Sequence, residues 1–261
     1  MNVLSIKELH FKYEDRVVLE RLDLNVSQGE VVVLLGPNGC GKTTLLDCII
    51  GYRKHEQGSI HIAGVEDKVF SISDKAKRVA YVPQSTSNIF PYTVMEIVLM
   101  GRNPHIGKLS APRRKDSQIA QEALRSMGLT QFADRAFTKL SGGEKQLVMI
   151  ARSLAQNADI ILLDEPTSSL DVKNEMMVLR RIKDMVRKTG KTVVLATHQP
   201  NHAYYFENEN LAVNAALFVQ GRIKHYGAPS KVLTKQNIAE VYNVDCEILQ
   251  YSDESKAFVA R

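Results

Sequence analysis

Five consecutive apolar residues, Val31 to Leu35, run straight into Gly36-Pro37-Asn38-Gly39-Cys40-Gly41-Lys42-Thr43-Thr44, and a helix-like segment follows. A buried strand, a glycine-rich turn and a helix in that order leave few folds open. An all-apolar strand belongs inside a parallel sheet that is covered on both faces. The glycines let the backbone turn tightly, so that successive N–H groups point inward at an anion, and the next helix adds its positive end. Lys42 is placed to reach the β- and γ-phosphates of a nucleotide, and the Thr43 hydroxyl to bind Mg²⁺. Gly36 to Thr44 thus reads as a phosphate-binding loop.

Bulk properties narrow the class. A chain of 261 residues, 44% hydrophobic and 24% charged, suits one large soluble globular domain or a domain with an inserted lobe. The balance of 34 Lys and Arg against 29 Asp and Glu gives only +5, so no nucleic-acid partner is expected. The densest basic cluster, Arg113-Arg114-Lys115, reads as a solvated helix face. No apolar stretch is long enough to cross a bilayer, and Met1 to Ser5 lacks the order of a signal peptide, which predicts a cytoplasmic protein. Cys40, Cys48 and Cys246 lack metal-ligand spacing and suit thiols in a reducing compartment.

Along the chain, alternation from Val3 to Phe11 and from Val17 to Val26 predicts half-buried antiparallel strands. Short strands are expected at Gly58 to Ile62 and at Arg78 to Val82. From Thr93 to about Asn157 the period becomes helical, with Gly101 to Pro112 as an irregular connection and Pro112 opening a helix. This stretch predicts a helical lobe inserted at about residues 87–158. The parallel core resumes with Ile160 to Leu163, a helix from about Val172 to Lys188 and a strand at Thr192 to Thr197. A hairpin around Gly221 and a short helix near Val232 to Tyr242 follow. After Asn243 the pattern is weak and reads as a short C-terminal extension of a single domain, 1–261.

Two further motifs carry chemistry. Ile160 to Leu163 ends in Asp164-Glu165-Pro166, so two carboxylates emerge at the tip of a buried strand, where open α/β sheets bind ligands. Asp164 is suited to the hydration shell of Mg²⁺, and Glu165 to orienting or deprotonating a water aimed at a γ-phosphate. Standing alone, the same run would read equally as a strand closing in a polar turn. Leu140-Ser141-Gly142-Gly143-Glu144-Lys145-Gln146 holds a capping box, Ser141 with Glu144, that starts a helix. A cap does not need Gly142 and Gly143, each of which costs about 1 kcal/mol of helix propensity. Their use is to expose N–H groups to something negative, which makes a second anion site that one nucleotide in one chain does not require.

With these residues in order, the chain resembles the ATP-binding subunit of an ABC transporter from about residue 3 to residue 240. Gly36 to Thr44 matches the Walker A motif, Gln84 in Val82-Pro83-Gln84 the Q-loop, and Leu140 to Gln146 the family signature. Ile160 to Glu165 matches Walker B, Ser169-Leu170-Asp171 the D-loop, and His198 in Ala196-Thr197-His198 the switch histidine. Tyr13 falls where the family stacks a ring on adenine, although alone it reads as a packed strand residue. The resemblance implies an α/β fold, a P-loop ATPase core with a mixed sheet, an N-terminal antiparallel β-subdomain and the inserted helical lobe. It implies ATP and Mg²⁺ as ligands. Lys42, Gln84, Glu165 and His198 would act in catalysis, Thr43, Gln84 and Asp164 at the metal, and Tyr13, Gly36 to Thr44 and Ser141 to Glu144 on the nucleotide.

Family members pair head to tail, each signature helix covering the ATP on the opposite loop, which accounts for the surplus anion site and implies a second copy as partner. The stretch Thr93 to His105 is similar to importers of iron–siderophore, haem and cobalamin complexes and of molybdate-type oxyanions. That implies polytopic permease subunits, a substrate-binding protein acting indirectly, and a peripheral place on the cytoplasmic face of the cell membrane. A soluble ABC ATPase without a permease, acting in assembly or as a scaffold, is the alternative. The chain departs from the common pattern at Cys40, where Ser or Ala is usual, and at Gln199-Pro200, where an acidic residue often follows the histidine. Pro200 is expected to open the next helix.

Overall fold

The structure, a computed structural model, describes residues 1–84, 91–107, 110–250 and 255–260. It divides into one unit made of Met1–Val69 and Gly190–Arg261 and a second made of Phe70–Thr189. The expected start of the inserted lobe, near residue 87, lies outside the described residues.

The first unit opens with β1 (Asn2–Tyr13) and β2 (Arg16–Ser27), paired antiparallel through the turn at Glu14-Asp15. Alternation that slips by one residue between Ile6 and Leu9 and between Leu19 and Leu22, where Glu8 and Arg21 take φ of 45° and 46°, places Leu4, Ile6, Leu9 and Phe11 of β1 and Leu19, Leu22, Leu24 and Val26 of β2 inside. The next elements are β3 (Val31–Leu35), buried throughout, α1 (Lys42–Ile50), β4 (Gln57–Ile62) and β5 (Val65–Glu66). Strands β2, β1, β4 and β5 form the N-terminal antiparallel sheet.

The second unit contains α2 (Ile72–Ala76), β6 (Val79–Val82), α3 (Val94–Leu99) and a 3₁₀ turn over Met100–His105. It continues with α4 (Arg114–Met127), α5 (Gly142–Ala155), β7 (Ile160–Asp164) and α6 (Val172–Thr189). Strands β6 and β7 are parallel neighbours. Helices α3, α4 and α5 pack on one another, burying Val94, Ile97 and Val98, then Ala120, Ala123 and Leu124, then Leu147, Val148 and Ile150. Helix α4 begins two residues later than Pro112 predicts. The Asp116 carboxylate accepts the Arg113 N–H at 3.0 Å, and this local bond sets the start of the first turn.

The chain then returns to the first unit with β8 (Thr192–Thr197), α7 (Pro200–Asn208), β9 (Val213–Val219) and β10 (Arg222–Gly227). Strand β3 lies between β8 and β9 and parallel to both, while β10 runs antiparallel to β9, so the sheet is mixed. Pro200 opens α7 as its residue type predicts. The single helix expected near Val232 to Tyr242 is two, α8 (Pro229–Val232) and α9 (Lys235–Tyr242), because the Thr234 hydroxyl caps a new start on the Asn237 N–H.

Beyond Asn243 the weak pattern resolves into a hairpin, β11 (Cys246–Gln250) and β12 (Lys256–Ala260). Two amide side chains of α7 serve β12 as a neighbouring strand would. Asn201 donates to the Phe258 carbonyl at 3.0 Å and accepts its N–H at 2.7 Å. Asn208 does the same for Lys256, at 3.1 and 3.3 Å.

Candidate nucleotide-binding site

The loop after β3 has the backbone that its glycines predict. Gly39 and Gly41 adopt φ of 77° and 114°, a region that L side chains rarely enter. A Cβ at Gly36 would stand 2.8 Å from both the Cys40 Sγ and the Phe218 carbonyl oxygen, so only glycine lets the loop close there. Lys42 is buried, its ammonium donating to the carbonyls of Gly36 at 2.7 Å and Pro37 at 3.1 Å. Helix α1 starts after Gly41, which offers no side-chain cap, and has no acidic residue in its first turn. Its amino end keeps the positive character that an anion requires.

Register brings His198 beside this loop. Leu35 of β3 pairs with Thr197 of β8, so Gly36 and His198 leave adjacent parallel strands side by side. Tyr13 closes β1 on the same unit, 39% exposed, with the Arg53 guanidinium 5.1 Å from its ring centroid and Phe11 edge-on at 4.9 Å.

The second unit carries the other chemical residues in a parallel arrangement. Val82 of β6 pairs with Leu163 of β7, and beyond these tips come exposed Gln84 on one strand and Asp164 and Glu165 on the other. Asp164 is 1% exposed and accepts the Tyr81 hydroxyl at 3.2 Å. Glu165 is buried at φ 47°, a left-handed conformation that costs a non-glycine residue about 1–2 kcal/mol. Such strain gathers where a side chain must be aimed.

At the signature, Ser141 caps α5. Its N–H and hydroxyl each donate to the Glu144 carboxylate at 2.8 Å, and the Glu144 N–H returns to the hydroxyl at 3.4 Å. The Ser141 N–H, ahead of the hydroxyl, holds the Glu144 carboxyl below the usual range. Ser141 and Gly142 are exposed, whereas Gly143 is buried, and a Cβ there would meet the Asn174 Oδ1 at 2.9 Å. Gly143 therefore answers to packing between α5 and the first turn of α6 within its own chain.

The stretch Thr93 to His105 also has a structural job. Thr93 and Glu96 cap α3 reciprocally. Gly101 lies so close to α5 that a Cβ would be 2.2 Å from the Arg152 carbonyl oxygen. Buried Arg102 bridges the Asp116 carboxylate at 3.0 Å and the Ala155 carbonyl at 2.8 Å, and His105 reaches the Gln156 carbonyl at 2.8 Å.

Sequence reasoning passes over Tyr81, Asn174 and Arg53, each of which touches a motif residue. Only Asn174 had a local signal, three residues after Asp171, whose carboxylate accepts its N–H at 2.8 Å in a cap of α6.

Comparison with known proteins shows the family of the chain. The sequence profile of the ABC transporter family matches residues 19–168. The molybdate import ATP-binding protein MolC of Haemophilus influenzae is 37% identical over 242 residues, covering 92% of this chain and 88% of that one. The iron(3+)-hydroxamate import ATP-binding protein FhuC of Bacillus subtilis is 33% identical over 249 residues, covering 95% and 91%. A solved inward-facing metal-chelate type ABC transporter superposes with a TM-score of 0.86 at 35% identity, covering 100% of this chain and 98% of that one. The chain belongs to the ABC transporter family, with the P-loop ATPase cassette as its fold, and it is an ATPase of that family. Among the described residues, no helix is long and apolar enough to cross a membrane.

Proposed function

We propose that this chain is the ATP-binding and hydrolysing subunit of an importer for a metal chelate, such as an iron–siderophore, haem or cobalamin complex, or for a molybdate-type oxyanion. The observation that carries this reading is the loop of Gly36 to Thr44, its ammonium turned inward and the amino end of α1 left without a side-chain cap. The names of the similar proteins, molybdate and iron-hydroxamate import ATP-binding proteins, support the cargo class. Two copies would associate head to tail at the cytoplasmic face of the cell membrane, docked on polytopic permease subunits that receive cargo from a substrate-binding protein. The inserted lobe is the expected docking element.

In this reading the loop amides and Lys42 bind the phosphates of ATP, and Tyr13 with Arg53 forms a platform for the base. Ser141 and Gly142 of one copy face the nucleotide of the other. Thr43, Asp164 and Gln84 fit Mg²⁺, because they offer a hydroxyl, a carboxylate and an amide oxygen; when bound, the ion neutralises phosphate charge. Glu165 orients the attacking water and takes its proton as the bond between the β–γ bridging oxygen and the γ-phosphorus breaks. His198 stabilises the charge gathering on the γ-phosphate oxygens.

The test is Glu165→Gln in the full chain. ATP binding should persist while turnover falls by about 10²-fold or more, the scale of losing a general base, and ATP should hold the variant as a dimer. Turnover near the parental rate would remove Glu165 from the mechanism. Affinity purification from membranes should also recover a polytopic partner, whereas a chain recovered alone from the soluble fraction would favour an assembly or scaffold ATPase.

A further inference from the structure

The histidine that follows His198 by four residues has no role in the site described so far. His202 is 2% exposed on the first turn of α7, and its Nδ1 lies 3.0 Å from the Thr197 Oγ1. The same Thr197 oxygen accepts the Gln199 N–H at 3.1 Å. Residues on both sides of His198 are thus tied to one buried hydroxyl. Thr197 itself is 1% exposed and is the last residue of β8, held in register with Leu35.

The direction of the bonds follows from the count of donors. The Thr197 oxygen is already an acceptor for Gln199, and a buried hydroxyl proton without a partner costs about 1–3 kcal/mol. Among the described residues, the Nδ1 of His202 is the acceptor that the structure gives for that proton. The hydroxyl therefore donates to Nδ1, which leaves Nε2 as the ring's donor position. A leucine would fill the same volume but could not receive this bond.

We infer that His202 is a positioning residue for ATP hydrolysis: through Thr197 and the Gln199 N–H it fixes the backbone on both sides of His198, and so the direction from which that imidazole meets the γ-phosphate. This rests on the role proposed for His198. A displacement of about 1 Å at a catalytic group is enough to lower a rate by about 10²-fold, whereas nucleotide affinity, which depends on the loop of Gly36 to Thr44, is outside the network.

The experiment is steady-state ATP turnover and nucleotide affinity of the full chain carrying Thr197→Val, Thr197→Ser, His202→Ala and the Thr197→Val/His202→Ala pair, each also made with His198→Ala. Thr197→Val and His202→Ala should each lower kcat by about 10- to 100-fold with KM and affinity unchanged. The pair should cost no more than either change alone, and Thr197→Ser should retain the parental rate. With His198→Ala present, neither change should lower kcat further, an outcome that a merely structural role does not produce. If His202→Ala proves unfolded, Thr197→Val, which keeps the shape and removes only the hydroxyl, decides alone. Parental kcat in folded Thr197→Val, or losses that persist beneath His198→Ala, would overturn the inference. If His198→Ala abolishes turnover while the network variants hydrolyse normally, the network is refuted and His198 stands. If His198→Ala hydrolyses normally, the reading of His198 fails and the inference with it.

Discussion

At the scale of single residues, Cys40 is the feature of the phosphate loop that lends itself to a direct test. Its sulfur lies 4.0 Å from the Lys42 ammonium, and the residue is half-buried. A cation beside a thiol favours the thiolate, the form that reacts. The other two cysteines are 1% and 0% exposed, and burial pushes the Cys246 thiol up. A maleimide should therefore label Cys40 first and inactivate the ATPase. Mg-ATP should protect it, and Cys40→Ser should remain active and become resistant. Peptide mapping with and without nucleotide checks this, and labelling at Cys40 that ignores ATP would dissociate the loop from the phosphates. The loop was legible in the sequence because glycine, lysine and threonine act there through backbone geometry and charge at fixed spacing. Tyr81 and His202 were not, since a side chain that supports another across a strand or a turn has no spacing rule.

At the scale of elements, two glycines that look alike in sequence differ in what surrounds them. Gly101 faces backbone, where an added methyl carbon would stand 2.2 Å from the Arg152 carbonyl oxygen, whereas Gly143 faces the Asn174 side chain. Gly101→Ala should force the 3₁₀ turn after α3 away from α5 and destabilise the chain by about 1–3 kcal/mol. Gly143→Ala should cost less in denaturant melts, because an asparagine side chain can turn away; equal losses would contradict the distinction. The brace at Arg102 predicts a pH dependence. The Arg113 N–H first, and then Arg102, hold the Asp116 carboxyl below its usual range. A depressed folded value means that the contribution to stability is full above the ordinary Asp range and is lost as pH falls through the depressed value. Asp116→Asn should be the less stable protein at pH ~7, and the gap should close on acidification below pH ~4; a gap that stays constant in thermal melts would sink the assignment. The periodic elements were readable because burial follows period. The C-terminal hairpin was not, because β12 is matched by the amides of Asn201 and Asn208 and not by an apolar face.

At the scale of the whole molecule, the chemical residues fall on both units. Tyr13, Gly36 to Thr44 and His198 lie in one, and Gln84, Ser141 to Glu144, Asp164 and Glu165 in the other. Whether Ser141 serves the loop of its own chain or that of a second copy is decided by mixing lesions. Ser141→Arg loses a cap worth about 1 kcal/mol and sets a bulky cation on an exposed helix start, so a single subunit should still bind ATP while failing to dimerise with it. Lys42→Ala removes the ammonium proposed to bind the phosphates. In a dimer with Lys42→Ala on one copy and Ser141→Arg on the other, a head-to-tail arrangement puts both lesions in one composite site and leaves the second intact. With both changes on one copy and a parental partner, each site carries one lesion. Nucleotide occluded between the copies, counted per mixed pair of differently tagged chains in a Glu165→Gln background, should be one in the first case and none in the second. The opposite pattern would place Ser141 at the nucleotide of its own chain and end the head-to-tail reading.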